Sequence, residues 1–210
     1  MSTTQVTGTR YVFFHYPKTA GQFIRKYLIP KLDLWVGSEL IINQKNDFTN
    51  HHSYNQCKDY IKESDITFTV VRNPYLLLED RFYFSKQEHV WVKFPMFQWL
   101  RDINTFEEYI MGSHFKPMNL PHWGIGYWNV GTQSEFNRGC NTILRMEHLQ
   151  GDIEKFIPMS VSWGIPYSNR VNALTEIYYT VWTSAMEKVV RDYYAEDFEK
   201  FGYNSLSKFR

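Results

Sequence analysis

The stretch YVFFHYPKTAGQFIRKYLI, residues 11–29, decides the fold, because it predicts a strand, a tight turn and a helix in direct succession. Residues 11–15 are apolar and β-prone, which is typical of a buried strand. The turn covers residues 17–21. In the helix predicted over residues 22–29, apolar side chains recur on one face, and Pro30 ends it.

Alternation of strand and helix continues along the chain. Residues 66–71 and 142–146 predict two more strands. The further helices are expected over residues 53–63, 75–86, 105–111, 149–157 and 173–195. The last of them has an apolar stripe that includes Val181, Ala185 and Val189 and is expected to face the core. This pattern predicts one α/β domain, residues 1–210, with a mainly parallel sheet.

The bulk composition is that of an ordinary globular protein. Of 210 residues, 43% are hydrophobic and 21% charged, and the net charge is +1. So small a net charge attracts neither nucleic acid nor an anionic membrane, and we expect no nucleic-acid partner. A polar N-terminus and the lack of a long apolar run predict no membrane span in these residues. The location is then cytoplasmic, or the sequence is that of a protein without its membrane anchor. Cys57 and Cys140 are expected to be reduced.

The turn after the first strand is a candidate phosphate site. A helix that begins directly after a strand presents unpaired N–H groups to an anion. Lys18 adds a positive charge, Thr19 a hydroxyl donor, and Gly21 permits close backbone approach. The alternative is a plain strand-to-helix turn. The lysine precedes the glycine, unlike the order in a Walker A motif, which argues against a nucleotide or sugar kinase.

A second candidate phosphate ligand follows the second strong strand. Arg72 ends the stretch 66–71, and a parallel neighbour would bring it beside the first turn. Its guanidinium can hold a phosphate with two parallel hydrogen bonds. The alternative is that Arg72 pairs with a carboxylate. Arg81 lies nine residues further on, on the helix expected to follow.

Five segments in order carry a family resemblance: HYPKTAG (15–21), FTVVRNPY (68–75), TQSEF (132–136), ILRMEHL (143–149) and YYAEDFEKFGY (193–203). Together they resemble the carbohydrate sulfotransferases that use 3′-phosphoadenosine 5′-phosphosulfate (PAPS), in particular the uronyl and heparan sulfate 2-O-sulfotransferases. The resemblance implies a P-loop-like three-layer α/β/α fold, PAPS as sulfuryl donor, 3′-phosphoadenosine 5′-phosphate (PAP) as product, and no metal. The residues that it implies for donor binding are Pro17, Lys18, Thr19, Ala20, Gly21, Gln22, Phe23, Arg72, Asp80, Arg81 and Arg170.

The chain departs from the family pattern at two positions of the second segment. Leu77 and Asp80 stand where the family commonly has arginine and serine. A carboxylate cannot donate to a phosphate and repels it. Either Asp80 turns away and Arg81 substitutes, or the donor is held differently, or donor affinity is lost. The last case would make the chain a non-catalytic nucleotide- or glycan-binding module.

Sulfuryl transfer needs a cation at the leaving group and a base at the acceptor hydroxyl. Lys18 suits the first role. By the resemblance, His52 is the first candidate for the base and His51 the second, and a carboxylate such as Glu39 or Asp47 is the alternative. The tryptophans, histidines and cations of residues 87–130 suit a carbohydrate acceptor, although aromatic side chains are individually more often core. The sequence does not decide the oligomeric state.

Overall fold

The computed structural model describes residues 9–28, 34–36, 51–87, 100–116, 130–157 and 180–204. Over these ranges the protein is α/β, with a small open parallel sheet and helices. The strands are β1 (Tyr11–Phe14), β2 (Leu34–Val36), β3 (Ile66–Val71) and β4 (Thr142–Arg145). The helices are α1 (Gly21–Tyr27), α2 (Tyr54–Cys57), α3 (Pro74–Ser85), α4 (Phe106–Met111), α5 (Gln133–Phe136), α6 (Leu149–Phe156), α7 (Ser184–Tyr193) and α8 (Ala195–Phe201).

The chain divides into two compact units. The first comprises residues 1–72 and 133–163, and the second comprises residues 73–132 and 164–210. The first unit holds all four described strands together with α1, α2, α5 and α6. The second holds α3, α4, α7 and α8. The assignment of residues 1–210 to a single domain stays a prediction.

The sheet has the strand order β2-β1-β3-β4, and every neighbouring pair is parallel. From β1 the chain moves to β2 on one side and then crosses to β3 on the other side. In open parallel sheets, such a reversal leaves a crevice at the carboxyl ends of the two strands, where ligands bind. Here that crevice lies beyond Phe14 and Val71.

Opposite charges join the amino ends of β1 and β3. The guanidinium of Arg10 grips both carboxylate oxygens of Asp65, with Nε 2.7 Å from Oδ1. The backbone N–H of Lys62 donates to the same carboxylate at 2.7 Å. These hydrogen bonds hold the pKa of Asp65 below its usual range, although burial opposes them. The backbone hydrogen bonds between β1 and β3 begin next to this ion pair, where the N–H of Ile66 donates to the Arg10 carbonyl at 3.0 Å.

An aromatic core fills the second unit. Helix α3 begins at Pro74, where the side chain of Asn73 accepts from the N–H of Tyr75 at 2.9 Å. The indole N–H of Trp182 donates to Glu79 at 2.6 Å, and its ring packs edge-on against Tyr75. Some of the abundant aromatic side chains are therefore core.

The long helix predicted over residues 173–195 is confirmed over Ser184–Tyr193 and is wrong over residues 180–183. Residues 180–183 are not helical, and α7 begins at Ser184 because the Thr183 hydroxyl caps it by accepting from Met186 N–H at 3.2 Å. Val181 is 76% exposed, so it does not belong to the core. The buried positions of α7 and of the residue after it are Met186, Val190 and Tyr194, spaced four residues apart. Residues 173–179 lie outside the described ranges.

The structure differs from the sequence prediction at two smaller elements. Strand β2 lies where the sequence predicts neither a strand nor a helix, and it pairs in parallel with β1. The helix predicted over 53–63 is only the single turn α2 and a 3₁₀ turn at Lys58–Tyr60.

None of the described helices combines the length and apolar character needed to cross a membrane. Cys57 and Cys140 are reduced thiols, as predicted.

Candidate functional site

The loop after β1 contains two non-glycine residues in the left-handed region. Lys18 has φ 68° and Ala20 has φ 60°. Each such residue costs about 1 kcal/mol and is concentrated at functional sites. Left-handed residues that alternate with right-handed ones form concavities lined by backbone N–H groups, which bind anions. The strain at Lys18 and Ala20 therefore fits an anion-binding loop at the start of α1.

The hydroxyl of Thr19 holds the loop together. It is fully buried and donates to the carbonyl of Tyr16 at 2.7 Å. The expectation that this hydroxyl donates to a phosphate is corrected, because its proton is used inside the loop. The Tyr16 ring is fixed in turn by edge-on packing against Phe136, at 5.2 Å between centroids. Thr19 would reach a ligand through its backbone N–H.

Gly21 is needed because the His15 imidazole lies against it. A Cβ placed on Gly21 would stand 1.9 Å from Nε2 of His15 and 2.1 Å from its Cε1. The same imidazole stacks on Phe13, with centroids 5.6 Å apart. The expected reason for this glycine was close approach to a ligand. The structure gives it a second reason, which is room for a histidine ring.

His51 is oriented by a hydrogen bond to the loop. Its Nδ1 lies 2.8 Å from the carbonyl oxygen of His15, and the two rings are 4.5 Å apart between centroids. A carbonyl only accepts, so Nδ1 of His51 carries the proton. When the ring is neutral, Nε2 then has the lone pair that a base requires. The adjacent His52 is also buried.

His15 itself stays neutral near pH 7. Burial, and then the neighbouring charges of His51 and Arg25, hold the pKa of His15 well below its usual range. The sequence reasoning missed both His15 and Arg25 as parts of this site. Arg25 lies four residues after Gly21, so both lie on one face of α1. This spacing was the sequence signal that could have placed Arg25 near the loop.

Arg72 lies where the sequence predicts it, at the carboxyl end of β3 beside the end of β1. Phe14 is opposite Thr69, so continuation of that register brings Arg72 level with Pro17. Arg72 is only 1% exposed. A buried guanidinium is stable only with an anionic or strongly polar partner, and a phosphate or a carboxylate can fill that role.

Gln133 fixes the main chain of Arg72. Its side-chain Oε1 accepts from Arg72 N–H, and its Nε2 donates to the Arg72 carbonyl, both at 2.8 Å. Both residues are buried. Gln133 belongs to the third resembling segment, but no role for it follows from sequence, because this pairing joins positions that are 61 residues apart.

Leu77, Asp80 and Arg81 are buried on α3, in the second unit. Burial raises the pKa of Tyr109 in that unit, and the charge of Arg81 opposes the rise, so Arg81 lies near this phenol. A donor-binding role for Asp80 and Arg81 stays a prediction. Gln22 is exposed and Phe23 half-buried at the start of α1.

The remaining candidates lie outside the described residues: Arg170, Glu39, Asp47, and the tryptophans and histidines of residues 88–99 and 117–129. Across the parts of the chain that are described, no three histidine, cysteine or acidic side chains come together as metal ligands. Comparison with protein-family models, with curated proteins and with solved structures finds no match.

Proposed function

We propose that this protein is a sulfotransferase that transfers a sulfuryl group from PAPS to a hydroxyl of a carbohydrate acceptor, on a P-loop-like three-layer fold and in the cytoplasm. The observation that carries the proposal is the strained loop at the switch point of the sheet. Lys18 and Ala20 are left-handed there, and the buried Arg72 ends the neighbouring strand. Two cationic positions next to backbone N–H groups suit a ligand with two separate phosphate groups.

The loop and Arg72 divide the two ends of the donor between them. The N–H groups of residues 18–22 and the Lys18 ammonium are assigned to the 5′-phosphosulfate. Arg72 is assigned to the 3′-phosphate, with its backbone held by Gln133. Lys18 also neutralises the charge that grows on the leaving phosphate as the sulfuryl group departs. PAPS supplies the activated sulfuryl group in this scheme.

The geometry of His51 favours it over His52 as the base. Its Nδ1–H is engaged by the His15 carbonyl, so Nε2 takes the acceptor proton. The proton is taken as the acceptor oxygen attacks the sulfur and PAP leaves, and the hydrogen bond to His15 keeps the base next to the donor loop.

A second candidate function is a non-catalytic nucleotide- or glycan-binding module. The identities of Leu77 and Asp80 favour it, since both are buried and neither can donate to a 3′-phosphate. As a nucleotide-binding module the protein would share the donor loop with the sulfotransferase and differ from it only in turnover. As a glycan-binding module it would not bind the donor.

The test is calorimetric titration of PAP into the wild-type protein and into Lys18→Ala and Arg72→Ala. Each variant loses charge-assisted hydrogen bonds, so we expect Kd to rise about 10- to 100-fold. Lys58→Ala is the matched control, because it removes an exposed lysine of the same unit. Failure of the wild-type protein to bind PAP would refute the sulfotransferase and the nucleotide-binding module, and would leave only the glycan-binding form of the second candidate.

Turnover of labelled PAPS on a panel of oligosaccharides separates the two candidates. We expect His51→Gln to keep PAP affinity and to lose most of the turnover, while His52→Gln retains more of it. PAP binding without sulfation of any acceptor in the panel supports the binding module instead. Equal turnover by His51→Gln and the wild-type protein contradicts the assignment of His51 as base.

A further inference from the structure

A buried guanidinium nitrogen on α1 has no hydrogen-bond partner. This is Nη2 of Arg25. Arg25 lies one helical turn after Gly21 and on the same face. Helical side chains lean toward the amino end of their helix, so this guanidinium extends back toward the His15 imidazole that lies against Gly21.

A second buried nitrogen beside Arg25 is in the same situation. Nδ1 of His15 is buried and lacks a hydrogen-bond partner. The charge of Arg25 is close enough to lower the pKa of His15, in addition to the larger effect of burial and the effect of His51. The neutral His15 ring can donate through Nδ1 in one of its two tautomers.

Nη2 of Arg25 needs an acceptor, and so does Nδ1 of His15 in the tautomer that carries its proton there. A buried cationic N–H that lacks a hydrogen bond is costly, and an oxyanion offers the strongest compensation. Among the described residues no carboxylate pairs with Arg25. We propose that Arg25 and His15 form an oxyanion subsite that takes a sulfate, sulfuryl or carboxylate group and that is distinct from the contacts of Lys18 and Arg72.

Two sources supply such a group: the sulfuryl end of the donor and an acid group on the acceptor. Both would lie close to His51, whose ring is 4.5 Å from that of His15. The subsite stands on the geometry of Arg25 and His15. The choice between its two sources rests on the proposed sulfotransferase function.

The first experiment uses inorganic sulfate as the probe, titrated into the protein with and without saturating PAP. We expect Arg25→Gln to weaken sulfate binding to PAP-saturated protein at least tenfold. Arg25→Lys keeps the charge and should retain part of the affinity. Lys26→Gln is the matched control, since it removes one exposed charge from the neighbouring position of α1 and should change the sulfate Kd less than twofold.

A second readout is independent of both PAP and turnover. The pH titration of the His15 ring protons by NMR should shift upward when sulfate is added, because an anion offsets the charge of Arg25. In Arg25→Gln, sulfate should leave the titration unchanged.

Steady-state kinetics then separate the two sources. Arg25→Gln should raise KM for PAPS with every acceptor if the donor sulfuryl group occupies the subsite. It should raise KM only for an acidic oligosaccharide, and not for its carboxyl-reduced counterpart, if the acceptor does.

Sulfate affinity that is the same in the wild-type protein and in folded Arg25→Gln, or sulfate that fails to bind at all, overturns the subsite; a buried water then satisfies Nη2. Sulfate binding that depends on Arg25 in a protein that does not bind PAP keeps the subsite and rejects the sulfotransferase.

Discussion

Replacement of Gly21 by alanine tests the contact on which the loop is built. The new methyl group would lie 1.9 Å from Nε2 of His15. Ordinary carbon contacts lie at about 3.5–4.0 Å, so the imidazole must retreat by about 2 Å. It cannot do so alone, because it also stacks on Phe13 and faces His51.

The expected cost follows from two opposed effects. Overpacking of a tight site costs about 1–3 kcal/mol. Alanine in place of glycine stabilises the protein by about 1 kcal/mol, because it favours the helix and lowers the entropy of the unfolded chain. We therefore expect Gly21→Ala to destabilise the protein by about 1 kcal/mol. In a His15→Ala background the clash is absent, and the same change should stabilise by about 0.5–1 kcal/mol.

The assay is urea unfolding of the wild-type protein, both single variants and the double variant, followed by circular dichroism. The double-mutant cycle should give a coupling free energy of about 1–3 kcal/mol between the two positions. Equal effects of Gly21→Ala in the presence and absence of the His15 ring would refute the reasoning, since the glycine would then serve the backbone alone.

Two more predictions concern the first unit. Gln133→Leu leaves the buried N–H and carbonyl of Arg72 without their present hydrogen bonds. Urea unfolding should show a free energy of unfolding that is lower by about 2–4 kcal/mol. The control Glu135→Leu, at an exposed position of α5, should change this free energy little. The pKa of His15 is lower in the folded protein than in the unfolded chain, so the unfolded chain takes up a proton first as pH drops below about 6.5. The free energy of unfolding should therefore fall in this range, by at most about 1.4 kcal/mol per pH unit. His15→Gln should show a shallower fall over the same range, and identical slopes would contradict the neutral, buried state of His15.

The local elements were predictable because local signals decide them. Pro74 ends β3 and opens α3, so both boundaries of that region were predicted to within one residue. The parallel sheet followed from the alternation of strands and helices. The apolar pattern of residues 173–195 was misleading, because the threonine cap at position 183 starts the helix later than its apolar residues suggest.

The chemistry of the candidate site was predictable only in part. The positions of Lys18 and Arg72 after β1 and β3 were predictable because charged residues at strand ends are visible in sequence. The contact of His15 with Gly21, the buried Nη2 of Arg25 and the amide of Gln133 depend on distances between chain segments. No periodicity reports such distances. They arise from packing, which also turned the hydroxyl of Thr19 inward to Tyr16.

The hydrogen bonds between Arg72 and Gln133 have a consequence for the synthesis of the chain. These hydrogen bonds join two residues that are 61 positions apart in the sequence. Closing a flexible loop of that length costs about 4 kcal/mol in entropy before any contact compensates it. A nascent chain that has not yet reached Gln133 has β1 and β3 but lacks the side chain that bonds the backbone of Arg72. We therefore expect the loop and Arg72 to gain their final geometry only after translation has passed Gln133.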